Sequence, residues 1–321
     1  MRLELLGRLR PHTLALVGGV VCLVVLTVGP GLRRCVGAQA AGATTGRARP
    51  SAGARPSASA GLLREARRDF DAKRFAVASV KLEGLLKRML PPNERTEAYV
   101  LLCESRLCQG QFALAESLAV GAKAAGGIGD KAALERLGFL KGEILYYSGD
   151  VKGATDEYIS FLEDDIEGTL VNDALERLLL IDENTGSSPQ PLAAYARAEL
   201  AELAGAPDSA LAILDGILRD PTSPPIADDA LAKKADILRA MRRFPDAITQ
   251  YRLVEVQFPQ SRLVPRCKLN IAEIYASDMG EKETAVVECE EVARNFPGTS
   301  YAVEARAMLN SLAGGAEKGK K

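Results

Sequence analysis

Tryptophan is absent from this 321-residue sequence, aromatic residues make up only 5% of it, and histidine occurs once, at His12. A lone histidine near the N-terminus leaves the body of the chain without an imidazole base, and no set of His and Cys has zinc-ligand spacing. No Gly-x-x-x-x-Gly-Lys stretch is present to cradle a phosphate. Paired acids such as Asp164-Asp165 read as solvated helix ends. The expectations are therefore no enzyme, no cofactor, no metal and no small-molecule substrate. Scarce aromatics also exclude a thick core of bulky side chains. What abounds is Ala and Leu, within an apolar share of 47%, and that favours helices packed through small residues.

Charge is unevenly spread. The stretch 1–60 holds eight Arg and one acid, Glu4, for a net +7, so the overall −1 leaves the remaining body at −8. A mildly acidic body argues against nucleic acid as a partner, because phosphate recognition needs a basic face. Arg2, Arg8 and Arg10 precede an apolar run over 14–28 that is closed by Gly29-Pro30. As a helix that run rises only about 22 Å, short of a roughly 30 Å hydrocarbon core but suited to an export signal. Ala38-Gln39-Ala40 supplies a cleavage motif, whereas Arg33-Arg34 between run and motif suit a retained anchor. Three readings stay open: a cleaved signal peptide, a signal-anchor giving membrane contact through the N-terminal segment, and a cytoplasmic chain with an unusual start. The first two place the body outside the cytoplasm, periplasmic or membrane-anchored. Cys35 is preceded by two Arg, which argues against a lipid-attachment site. Residues 41–60 are Ala, Gly, Ser, Thr, Arg and Pro without apolar periodicity and read as a disordered linker.

Residues 230–297 contain one pattern written twice. The first copy carries Ala230-Leu231, Ala235, Leu238, Ala247, Tyr251 and Val254 and ends in Phe258-Pro259-Gln260-Ser261. The second carries Ile271-Ala272, Tyr275, Ala285, Cys289 and Val292 and ends in Phe296-Pro297-Gly298-Thr299. The step from Pro259 to Pro297 is a period that suits one helical hairpin stacked on the next. Looser copies extend upstream to Gly61, where Gly142 matches Ala235 and Ala272, and Ala154 matches Ala247 and Ala285. Regularity fails over 166–205, which predicts an unpaired or shortened helix there. A final helix from Tyr301 has no partner after it and reads as a cap, with 314–321 a frayed basic tail.

These residues resemble the tetratricopeptide repeat family in its bacterial envelope form. The Phe-Pro-x-Ser/Thr punctuation is similar to that of outer-membrane-assembly lipoproteins and of the Tol-Pal coordinator. The resemblance implies an all-α chain over 61–313, an α-α superhelical solenoid of about six tetratricopeptide-like hairpins with a C-terminal capping helix. It also implies a protein partner bound in the groove lined by the first helices, without a cofactor. Two departures stand out. Lys268 occupies a position where the family often has an aromatic residue, and the step from Ala272 to Ala285 is one longer than that from Ala235 to Ala247.

By the repeat register, the groove-facing candidates are Phe70, Glu104, Phe139, Glu143, Tyr146, Tyr147, Asp236, Arg239 and Glu273. Among them Glu104, Glu143, Asp236 and Glu273 would form an acidic stripe suited to a basic or amide-rich extended segment, unless they are ordinary solvated helix positions. Cys267 and Cys289 fall on facing helices of one hairpin and could form a disulfide in an exported protein. The competing reading gives Cys289 the packing role of Tyr251. Two functions follow: an envelope scaffold or adaptor that holds a partner segment in its groove, or a structural spacer of an envelope assembly with a passive groove.

Overall fold

The computed structural model describes residues 58–124, 131–164, 168–185, 189–220 and 224–318, and the expected export segment and most of the linker lie outside them. Every regular element among the described residues is helical. In chain order these are α1 (Ala58–Asp71), α2 (Phe75–Leu86), α3 (Pro92–Cys108), α4 (Phe112–Ala124), α5 (Lys131–Ser148), α6 (Val151–Asp164) and α7 (Val171–Asn184). Then come α8 (Gln190–Leu203), α9 (Pro207–Arg219), α10 (Ala227–Ala240), α11 (Phe244–Gln257), α12 (Val264–Glu273), α13 (Lys282–Asn295) and α14 (Ser300–Lys318). Helix thus begins at Ala58, inside the expected linker, and runs to Lys318, past the expected end at 313.

One register explains the arrangement. Ala66, Cys103, Gly142, Ala198, Ala235 and Ala272 sit on first helices, and Ala78, Ala115, Ala154, Ala210, Ala247 and Ala285 on the second helices that follow. All twelve are buried. The spacing within a pair is the same in five hairpins and one longer in the last. Small side chains let the two helix backbones approach closely, and Cys103 Sγ in fact donates to Ala115 O at 3.3 Å. At a fixed step after each first-helix member the chain turns: Lys73, Gly110, Gly149, Gly205 and Arg242 all have positive φ, as does Gly280 one position later in its copy. Five of these turns close in the same way. Arg74, Gln111, Asp150, Arg243 and Glu281 donate N–H back to Asp69, Arg106, Leu145, Leu238 and Tyr275 C=O at 2.8–3.0 Å, satisfying a carbonyl that the helix end would orphan.

Six hairpins result: α1/α2, α3/α4, α5/α6, α8/α9, α10/α11 and α12/α13. The irregular interval is α7, a helix without a hairpin mate, as its broken periodicity predicts. The described chain divides into two compact units, 58–181 with 203–206, and 182–202 with 207–318. Each unit therefore contains three hairpins' worth of helices and a lone helix that follows them in sequence, α7 in the first and α14 in the second. In the second unit α14 closes the apolar face by setting Tyr301 and Ala305 against Leu269, Ala272, Cys289 and Val292.

The two punctuated copies fold alike. Phe258 and Phe296 end their helices at φ −130°, ψ 60° and φ −129°, ψ 49°, and Ser261 and Thr299 donate N–H to the two Phe carbonyls at 2.9 and 3.1 Å. The extra residue of the second copy is absorbed in a π-helical stretch, Ile274–Met279, where a wider turn takes one more residue without breaking the helix. Lys268, in place of an aromatic, is buried with its Nζ 2.7 Å from Glu291 and 2.8 Å from Glu255, so ion pairs replace ring packing there.

Candidate functional site

Each first helix carries an acid directly after its small residue from the second hairpin onward: Glu104, Glu143, Glu199, Asp236 and Glu273. Glu199 is absent from the sequence-based set because the irregular interval hides the register. The step from Ala198 to Ala235, equal to that from Ala235 to Ala272, is the signal that reveals it.

The expected open acidic stripe is corrected by what faces these carboxylates. Arg136 meets Glu104 at 2.5 Å, Arg177 meets Glu143 at 2.8 Å, Lys233 approaches Glu199 at 3.8 Å, and Arg266 meets Asp236 at 3.1 Å. In each case the base comes from a helix further along the chain. Glu273 is instead paired with Arg239 of α10 at 2.8 Å. These pairs neutralise the acids within each unit, tying α3 to α5 and α5 to α7 in the first and α8 to α10 and α10 to α12 in the second, because burial without a counter-charge would cost several kcal/mol per ion.

The pairing has a repeated node. Glu143 accepts from Tyr158 Oη at 2.5 Å and from Arg177 Nε at 2.8 Å, and Arg177 also donates to Tyr147 Oη at 2.8 Å. The Arg177 guanidinium lies 4.5 Å from the Tyr146 ring centroid, a cation–π contact. Asp236 repeats the scheme with Tyr251, Arg266 and Asn270, with the Tyr at the same step after the acid. Burial, reinforced by the adjacent carboxylate, pushes the Tyr158 and Tyr251 hydroxyls well above the usual phenol range. At the first node a β-carbon on Gly142 would come within 2.5 Å of the Tyr158 ring.

Several candidates are therefore packing residues. Tyr146 is fully buried beneath Arg177, Phe70 stacks edge-on against Phe75 at 5.3 Å, and Phe139 packs against Tyr158 and Phe161 at 5.7 and 6.0 Å. The structure nevertheless brings Glu104, Phe139, Glu143 and Tyr147 together at one place. With Arg136, Leu107, Leu140, Leu170 and Leu203 they line a small cleft in the first unit, with an enclosed volume of about 10 Å³. Burial raises the Glu104 carboxyl, and Arg136 draws it back down. Chemically the cleft is apolar with its charges already matched, which suits apolar contact at its mouth more than a cation. In the second unit, Asp236, Arg239 and Glu273 retain side-chain exposures of 23%, 12% and 32%, so this part of the first-helix face is the more open and the more polar.

The proposed disulfide is also corrected. Cys267 and Cys289 are both free and fully buried. Cys289 Sγ points at Met308 of α14, 3.3 Å from its Sδ, and it occupies the register position that Tyr158 and Tyr251 fill elsewhere. Burial pushes the thiols of Cys103, Cys108 and Cys267 up to about 12 and that of Cys289 to about 11, so they are neutral at physiological pH and poor nucleophiles.

No protein-family model matches the sequence, and no curated protein matches it. Among solved structures, the TPR2AB domain of yeast Sti1 in its pHSP90 complex covers 79% of this chain and 98% of its own, at 14% identity and TM-score 0.34. Pseudomonas aeruginosa pilF covers 78% and 96%, at 16% identity and TM-score 0.29. The hairpin-repeat fold is carried by the small-residue pairs, the six equivalent turns and the ion pairs, not by these likenesses.

Proposed function

We propose that this chain is a protein–protein interaction scaffold of the cell envelope that holds a partner segment against its first helices. The observation that carries this reading is the part-exposed polar first-helix face around Asp236, Arg239 and Glu273 in the second unit. The first unit separately offers the apolar cleft of Glu104, Phe139, Tyr147 and Leu170, and an extended segment can contact a helix face of either kind through its alternate side chains. The envelope location rests on the N-terminal sequence alone, with its apolar run and either cleavage or retention. Membrane contact through that segment follows only if it is retained.

The spacer reading draws on a specific observation too: Glu143 and Arg177 are buried and matched within the chain, as a passive face would have them. A charge swap separates the two. Replacing Arg239→Glu together with Glu273→Arg keeps the internal pair but inverts the pattern a partner meets. Scaffold action at this face predicts that capture of the chain's partner from envelope extracts falls at least tenfold, about 1.4 kcal/mol. Unchanged capture would favour the spacer.

A further inference from the structure

The first hairpin differs in surface chemistry from the rest of the body. The stretch 58–90 holds eight bases and four acids, a net +4 in a body that is otherwise acidic. Three of the acids are occupied: Lys81 lies 2.7 Å from Asp69 and 3.6 Å from Glu65, Arg74 also holds Asp69, and Glu83 is paired with Arg106. Among the described residues Arg64, Arg68, Lys87 and Arg88 form no ion pair, and all four are exposed.

These bases share a face with protruding apolar groups. The Lys81 bridge to Glu65 marks the seam between α1 and α2. Moving outward from that seam, helical spacing puts Arg68 and Arg64 next on α1, and Val77, Gly84, Arg88, Val80 and Lys87 next on α2. Core-facing residues Leu63, Ala66 and Phe70, and Ala78, Leu82 and Leu85, lie on the opposite sides. Val77 and Val80 are 47% and 69% exposed, and Met89, just beyond α2, is 94% exposed. At the positions of Val77 and Val80, α11 has Asp246 and Thr249, α4 has Leu114 and Ser117, and α13 has Thr284 and Val287, so single exposed apolar residues recur there and this hairpin is distinguished by carrying both together, with Met89 beside them.

We infer that this face docks on an anionic lipid surface. Unpaired bases around projecting Val and Met side chains match what a negatively charged leaflet takes up: charge at the headgroups and apolar tips just below them. Placement supports the same occupant. The sequence that precedes the hairpin includes the apolar run 14–28 and lies within the net +7 stretch, so a basic segment leads directly into a basic hairpin. The inference is independent of the first-helix face proposed to hold a protein.

The chain has no tryptophan, so a single introduced one reports its own position. In the full-length chain, Met89→Trp emission is expected to shift to the blue and to be quenched by brominated lipid on vesicles containing phosphatidylglycerol, and not on pure phosphatidylcholine. Val256→Trp, at an exposed site of the second unit, should remain in water under both conditions. Changing Arg64, Arg68, Lys87 and Arg88 to Gln should weaken the Met89→Trp signal by about fivefold per base removed. The inference is overturned if the Met89→Trp reporter stays in water while the chain sediments with anionic vesicles, since the N-terminal segment alone would then be binding. Insertion that persists undiminished after the four Gln substitutions would overturn it as well.

Discussion

At the scale of single residues, the fold depends on charges that are buried only because they are matched. Arg177 is the clearest case, since it satisfies Glu143 and Tyr147 and lies over Tyr146. Arg177→Met would leave a 4%-exposed carboxylate without its cation and should cost about 3–5 kcal/mol in urea unfolding. A loss below about 1 kcal/mol would contradict the node. Asp229 behaves differently. Burial pushes its carboxyl from 3.8 up to about 7, against the opposing pull of Arg262. Its partners are Asn184 Nδ2 at 3.2 Å and Arg262 at 3.8 Å, the latter held by Glu183 at 2.7 Å, with Asp228 next to it in sequence. Because the folded state holds this proton more tightly than the unfolded state, the associated stability is complete below about pH 4 and is lost as pH rises through 7. Asp229→Asn should therefore stabilise the protein more at pH 8 than at pH 5, by no more than about 3 kcal/mol. An equal effect at both pH values would show that Asp229 does not titrate in that window.

At the scale of the element, the turns carry the repeat. Four of the six use Gly at positive φ, whereas Lys73 and Arg242 take φ of 60° and 61°. A β-carbon in that region is disfavoured by roughly 1–2 kcal/mol. Arg242→Gly should accordingly raise stability by up to about 1 kcal/mol, and a lower melting temperature would contradict it. The π-helical stretch makes a second test. Deleting the exposed Ser277 restores the spacing of the other hairpins, and should change stability by no more than about 1 kcal/mol. Loss of cooperative unfolding would mean that the extra residue is structural. Much of this was legible in sequence. The pairs Gly142/Ala154, Ala235/Ala247 and Ala272/Ala285 reveal the hairpins, and the longer step of the last pair locates the insertion before any coordinates. Cys289 could likewise be assigned to packing by register. Three features were not legible. Lys73 and Arg242 hide their turns because neither residue type signals positive φ. The Glu199 position lies beyond an irregular interval. The neutralisation of four of the five acids depends on bases 30–34 residues further along the chain, and that of Glu273 on Arg239 as far upstream, a separation at which sequence gives a face but not a partner.

At the scale of the whole molecule, the described residues form six equivalent hairpins in two compact units, with α7 and α14 as the lone helices. Stacking of this kind stabilises each hairpin mainly through its neighbours, and it leaves the first-helix and second-helix faces chemically distinct. The first-helix sides of the two units carry the cleft in one and the part-exposed Asp236, Arg239 and Glu273 in the other, and these are the surfaces proposed to hold the protein partner. The outward face of the first hairpin, basic and apolar, is assigned to lipid. The most direct test is site-specific photocrosslinking in the full-length chain, with the crosslinker placed in turn at Leu170, Glu273, Ser117 and Val287. Leu170 and Glu273 belong to the first-helix side, whereas Ser117 and Val287 are exposed on second helices. Binding at the first-helix side predicts that a protein is captured from Leu170 or Glu273 and not from the other two sites. Capture from Ser117 or Val287 alone would contradict it.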